Sequence, residues 1–390
     1  MKLTRYLIVA LGFCLVPVAM AQAPAPAAQT PIIDFGSRFL PTVARQGMVV
    51  GPEELAAEVG LDVLRAGGNA VDAAVATGFA LAVSYPRAGN LGGGGFMLLH
   101  LADEDRQTLI DYRETAPAAA TRDLFLNENG AVDQQRAYFS HKSAGVPGTV
   151  AGLILAQQRY GTLPLADVMA PAIALARDGF AVSFALNQEI AARAERLAMN
   201  PEARRLFLDA QGRVPEIGSR WQQPDLAWTL TQIAEHGQKG FYEGEVARRI
   251  LAEMQAGEGL ISAADLAGYR AVEREPVRGT YQQYEIISTP PPSSGGIHII
   301  QILNILEGYD LQAMGHNSAA YIHHLTEAMK LAYADRSRYL ADPDFEPVPV
   351  AELTDKAYAE RQRALIKPGR ATPSEEIAPG KVLVDASHDT

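Results

Sequence analysis

Apolar positions along this chain follow two periods. Over residues 53–65, Leu55, Val59, Leu61, Val63 and Leu64 mark one helical face, and Gly67-Gly68 stops it. Residues 70–83 form a second predicted helix, so rich in small and apolar side chains that it should be buried nearly all round. Residues 96–101 (FMLLHL) follow a glycine cluster and read as a buried strand. Residues 108–112 pair with it across the charged turn Asp103-Glu104-Asp105-Arg106. Helices are predicted over 150–160, 168–177, 201–207, 225–235, 297–306 and 319–339, and strands over 280–288 and 381–386. Helices interleaved with a few strands predict a layered α/β fold.

The start of the chain sets the compartment. Lys2 and Arg5 precede an apolar run over residues 6–18, and Ala19-Met20-Ala21 is a small-x-small cleavage site. This is the pattern of a secretory signal peptide, and the run is short for a membrane span, which needs about 20 apolar residues. An uncleaved anchor is the alternative; a lipoprotein is disfavoured because Phe13 precedes Cys14. Residues 1–21 are therefore read as the signal peptide, 22–31 as a flexible Pro/Ala leader and 32–390 as one folded part, in a periplasmic or secreted protein. Cys14 is the only cysteine, so the mature chain would have no disulfide and no cysteine nucleophile. Of the 390 residues 48% are hydrophobic and 20% charged, with net charge −11, which becomes −13 once Lys2 and Arg5 are removed. That suits a globular protein with a large core, and its acidity argues against a nucleic-acid partner.

The common catalytic patterns fail. Gly92-Gly93-Gly94-Gly95 has no G-x-G-x-x-G spacing and no following Gly-Lys-Ser/Thr, so close backbone packing or a turn with positive φ explains it better. No G-x-S-x-G elbow or S-x-x-K occurs. His323, His324 and Glu327 lack the H-E-x-x-H arrangement, and packing or surface roles outweigh a metal site. No metal and no cofactor is expected. In Pro290-Pro291-Pro292-Ser293-Ser294-Gly295-Gly296, Ser293 or Ser294 can cap the next helix, and the segment serves equally as spacer or as the wall of a site. Arg113, in Asp111-Tyr112-Arg113-Glu114-Thr115-Ala116-Pro117, follows a buried strand. Its guanidinium could bind a carboxylate through two parallel bonds, but a structural ion pair with Glu114 is the weightier reading of the residues alone.

Taken together, six segments resemble the γ-glutamyltransferases (γ-glutamyl transpeptidases, glutathione hydrolases). They are residues 67–76 (GGNAVDAAVA), 91–97 (LGGGGFM), 111–117 (DYRETAP), 145–152 (GVPGTVAG), 290–296 (PPPSSGG) and 327–335 (EAMKLAYAD). The resemblance implies an α/β (α+β) N-terminal-nucleophile hydrolase with a four-layer αββα sandwich, of which this chain is the large-subunit part. It implies a precursor that cuts itself within Thr-Thr-His, before the second threonine. The chain ends Ser387-His388-Asp389-Thr390, so the nucleophile would be the threonine following Thr390, with no catalytic residue in this chain. A threonine hydroxyl needs an adjacent base, and its own α-amine serves only once it is a chain terminus. The reaction would take a γ-glutamyl group from amides such as glutathione to water, amino acids or peptides.

By the same resemblance Arg113 is the substrate-binding residue, gripping the α-carboxylate of the γ-glutamyl group. The oxyanion donors and α-amine ligands would belong to the small subunit, the expected heterodimer partner. A cephalosporin (glutaryl) acylase of the same superfamily is the enzymatic alternative; retention of Tyr112-Arg113-Glu114 favours the γ-glutamyl substrate. An inactive orphan large subunit, acting at most as a binding protein, is the other, and it would leave apolar surface exposed where the small subunit should pack. Residues 374–376 (SEE) suggest a mobile loop near the cut.

Overall fold

The computed structural model describes residues 42–382. The chain separates into two compact units, residues 1–46 and Gly47–Thr390. Of the first, only 42–46 are described, and they form no helix or strand. The expected signal peptide and leader lie outside the described residues. All the described helices and strands belong to the second unit.

Helix α1 (Glu54–Arg65) begins where the Glu53 carboxylate accepts the Ala56 N–H at 2.9 Å. It ends at Gly67, whose φ of +95° only glycine adopts readily, with the Gly68 N–H on the Val63 carbonyl. Helix α2 (Ala70–Ser84) opens with a capping box: the Asn69 side chain takes the Val71 and Asp72 N–H groups, and Asp72 takes the Asn69 N–H. It is buried on almost every side, as its composition predicts. The two helices touch closely at Gly60, where a Cβ would lie 2.2 Å from the Thr77 hydroxyl.

Strands β1 (Phe96–Leu101) and β2 (Arg106–Asp111) pair antiparallel, Phe96 opposite Asp111 and Leu101 opposite Arg106. β2 pairs in turn with β3 (Val272–Arg274). Met97, Leu99 and Ile110 share one sheet face and enter the main core. That core is filled by α1, α2, α3 (Thr149–Tyr160), α4 (Leu165–Asp178) and α5 (Pro224–His236), with Phe79, Ile154, Met169, Leu230 and Ile233 fully buried. The other sheet face carries fully buried Leu109 beside Leu98, 44% exposed, and Val272, 41% exposed.

A second, smaller assembly completes the unit. Residues 280–288 are not one strand but part of a hairpin, β4 (Val277–Tyr281) with β5 (Tyr284–Ser288). The reversal falls at Gln282-Gln283, with Gln282 at φ +52° and its N–H on Glu307 at 2.5 Å. No Gly or Asn signals that turn, so tertiary capping by Glu307 replaces turn chemistry. Helix α6 (Gly244–Ala256) still belongs to the main core through Val246 and Ala247, whereas α7 (Gly295–Leu306), α8 (Ala319–Tyr339) and α9 (Lys356–Arg363) build the second assembly; α6 and α9 have no counterpart among the predicted elements. Ile297, Ile300, Ile305, Leu331 and Tyr358 bury themselves between α7, α8 and α9. Of the strand expected over 381–386, only Lys381 and Val382 are described, and neither is in a strand.

Candidate active site

Three of the six segments fold onto one another. The Gly93 carbonyl accepts the Gly148 and Thr149 N–H groups at 2.7 and 3.0 Å. Gly95 and Tyr112 exchange backbone bonds at 3.0 and 3.3 Å, and Thr115 does the same with Val146 at 2.8 and 3.4 Å. Asn90 ties the turn together by accepting from the Gly93 N–H at 2.7 Å and the Thr149 hydroxyl at 2.9 Å. The glycines are needed for approach. A Cβ would lie 2.5 Å from the Tyr112 carbonyl at Gly94, and 2.1 Å from the Tyr112 ring at Gly152. None of Gly92 to Gly95 has positive φ, so of the two explanations for that cluster close packing is the one realised.

This packing presents Arg113. β2 ends at buried Asp111, whose Oδ1 accepts the Arg113 N–H at 3.0 Å while Oδ2 takes Arg274 Nε at 2.8 Å. Arg274 is itself forked onto Asp344 at 2.6 and 2.9 Å, which holds its pKa above the ordinary guanidinium value. On the other side, the Tyr269 hydroxyl donates to the Arg113 carbonyl at 2.7 Å. Tyr269 is stacked on Tyr242 with ring centroids 5.8 Å apart, and Tyr242 donates to the Pro147 carbonyl at 2.7 Å. The Arg113 backbone is thus fixed at both its N–H and its C=O.

The Arg113 side chain is exposed and makes no ion pair among the described residues; the expected structural pair with Glu114 does not form. Burial pushes the Tyr112 phenol up to about 12 and raises those of Tyr242 and Tyr269 further. All three stay protonated at neutral pH and serve as packing and donors rather than as bases. Neither Tyr242 nor Tyr269 carries a motif, and only the fold reveals their part.

The other candidates go elsewhere. His323 Nε2 meets the Lys367 carbonyl, His324 Nδ1 the Ala320 carbonyl, and Glu327 receives Lys330 and the Thr372 N–H. Among the described residues no group of three metal-ligating side chains converges. Residues 290–296 join β5 to α7. Gly296 packs on Thr289 and Val277; Ser294 is the N-cap but makes no side-chain cap bond, and Ser293 Oγ accepts the Gly295 N–H at 3.2 Å instead.

Solved gamma-glutamyltranspeptidases and a cephalosporin acylase, N-terminal-nucleophile hydrolases, share this arrangement. The family model for gamma-glutamyltranspeptidase matches residues 56–390. The glutathione hydrolase proenzyme of Escherichia coli K12 is 48% identical across 98% of this chain and 66% of its own length. The acylase ACY 1 proenzyme of Pseudomonas sp. V22 is 43% identical across 92% of this chain and 65% of its own. A Helicobacter pylori gamma-glutamyltranspeptidase crystal structure superposes with TM-score 0.86 at 44% identity, covering 89% of this chain and 100% of that one. The chain belongs to the γ-glutamyltranspeptidase family, and it spans between about half and two thirds of the length of curated relatives it matches, from 51% to 66%.

Proposed function

We infer that this chain is the larger part of a self-processing γ-glutamyltransferase, acting on γ-glutamyl amides such as glutathione. The observation that carries this reading is Arg113: a guanidinium without a carboxylate partner among the described residues, on backbone held at both ends. A ligand carboxylate completes it through two parallel bonds. The threonine following Thr390 supplies the hydroxyl that attacks the γ-carbonyl and, once freed, the amine that accepts its proton. The acyl-threonine then passes to water or to an amino-acid or peptide amine. The proenzyme names of the relatives support a precursor processed into two chains. The exposed Leu98 and Val272 on the outer sheet face support a partner that covers them. The signal-peptide pattern supports export, and among the described residues no helix is long and apolar enough to cross a membrane.

The acylase reading has the ACY 1 relatives behind it. Glutaryl and γ-glutamyl groups both carry the carboxylate Arg113 would hold; they differ in the α-amine. The deciding comparison is therefore kcat/KM for γ-glutamyl- against glutaryl-p-nitroanilide, on protein purified from its own source with intact masses and N-termini determined. A second chain beginning Thr-His, with preference for the γ-glutamyl compound, is expected. A lone unprocessed chain overturns the enzyme reading, and a glutaryl preference substitutes the acylase.

A further inference from the structure

After α9 the chain runs back along α8, and successive α8 residues hold successive points of it. His323 meets the Lys367 carbonyl at 2.9 Å, and Lys330 the Thr372 carbonyl at 2.7 Å. Glu327 accepts the Thr372 N–H at 3.2 Å. Residues 374–376, expected to be a mobile loop, form a single 3-10 turn between anchored points.

The last anchor is the most elaborate. Asp335 is fully buried, and its Oδ2 accepts from Gln301, from the Tyr358 hydroxyl at 2.7 Å and from Gln362 at 2.9 Å. These donors preset the carboxylate, so Oδ1 is aimed at the Gly380 N–H, 2.7 Å away. Tyr339 donates to the Gly380 carbonyl at 2.6 Å. A Cβ on Gly380 would lie 2.2 Å from the Tyr358 hydroxyl and 2.8 Å from Gln362 Nε2. Residue 380 is thus located by its N–H, its C=O and its lack of a side chain.

We propose that Asp335, Tyr339 and Gly380 form a seat that positions the chain for precursor self-cleavage, Asp335 acting as a positioning residue rather than a catalytic one. The proposal rests on the reading above that the cut follows Thr390, ten residues beyond Gly380. The net step is hydrolysis of that peptide bond: the C–N bond breaks, water gives hydroxide to the Thr390 carbonyl carbon and a proton to the released amine. Moving the last anchor back to Thr372 lengthens the span to eighteen residues, which lowers effective concentration only about twofold on tether statistics. Loss of register is the larger effect, since misplacing a reacting group by about 1 Å can cost about a hundredfold.

The test follows conversion of the full-length precursor into two chains over time, by intact mass, alongside its melting temperature. Asp335→Asn and Gly380→Ala are expected to slow conversion at least tenfold, and Tyr339→Phe, which touches only the Gly380 carbonyl, about threefold. Leu331→Ala hollows the core beneath the same helix, α8, without touching any group of the seat; it should lower the melting temperature at least as much as Tyr339→Phe yet leave conversion within twofold. Whatever matures should show wild-type kcat/KM on γ-glutamyl-p-nitroanilide. Slowing that tracks lost stability across all four variants, or no slowing in any, overturns the seat. An unsubstituted precursor that never converts overturns the self-processing reading and the seat with it.

Discussion

The Arg113 loop and the α8 clamp both place a charged side chain beside firmly held backbone, yet they use the charge in opposite ways. At the clamp, Glu327 and Asp335 are 2% and 0% exposed and meet several donors each. At the loop, the held groups are the N–H and C=O of Arg113, and the guanidinium is left over. Buried, satisfied charge fixes structure; exposed, unsatisfied charge on rigid backbone is available to a ligand. Loss of a clamp carboxylate should therefore appear in stability rather than in the kcat/KM of matured enzyme, and loss of the Arg113 side chain as activity lost at nearly constant stability.

The largest effect is expected from Glu327→Ala, which leaves the partly buried Lys330 ammonium with only the Thr372 carbonyl and no counter-charge, and frees the Thr372 N–H. Breaking such a pair costs about 3–5 kcal/mol, measurable by denaturant unfolding. Burial alone would raise the Glu327 pKa, but the bonds from Lys330 and Thr372 outweigh it and hold it below the ordinary value. A folded pKa below the unfolded one, about 4.3, means stabilisation that is complete above that pH and is lost as pH falls through the folded pKa. The gap between wild type and variant should stay constant from pH 7 to 5 and shrink below about pH 4. A gap that widens on acidification would contradict the assignment.

Next comes Arg113→Ala in the processed full-length protein, expected to lower kcat/KM on γ-glutamyl-p-nitroanilide more than about thirtyfold, or about 2 kcal/mol. Unfolding free energy should move by less than about 0.5 kcal/mol, as for a surface substitution. Arg113→Lys keeps the charge but loses the fork and should fall between. Equal activity in all three removes Arg113 from the site. Gly152→Ala tests the backbone beneath: its methyl would lie 2.1 Å from the Tyr112 ring. Overpacking of this kind costs about 1–3 kcal/mol, and because Tyr112 adjoins Arg113, activity should fall along with stability.

Much of this division was legible in the chain. The apolar run of α2, the FMLLHL strand and its partner across the charged turn, and the glycines as points of close approach all follow from local pattern. Arg113 was locatable as the residue after a buried strand, but its freedom from Glu114 was not. Nor was the hold on its backbone, which depends on Asp111 being shared with Arg274, 163 positions away, and on Tyr269, 156 positions from Arg113. The β4–β5 reversal was hidden because Glu307, rather than a turn residue, caps it. Asp335 and Glu327 read as polar positions of an amphipathic helix; only the returning chain makes them interior.

The smallest effect sharpens the comparison most. Tyr269→Phe keeps the ring stacked on Tyr242 and removes one hydroxyl, leaving the Arg113 carbonyl to water. A neutral hydrogen bond contributes about 1 kcal/mol net, so the stability change should be near that or less. If the bond's task is to aim Arg113, the loss should fall on substrate capture: KM for γ-glutamyl-p-nitroanilide up about threefold to fivefold with kcat little changed. The phenol is raised by burial, reinforced by the neighbouring Tyr242, Asp111 and Glu114 groups. It therefore stays protonated through neutral pH, and its removal should leave the pH profile of kcat/KM unshifted. A displaced profile would make Tyr269 a titrating participant, and the loop would then hold more than one functional group.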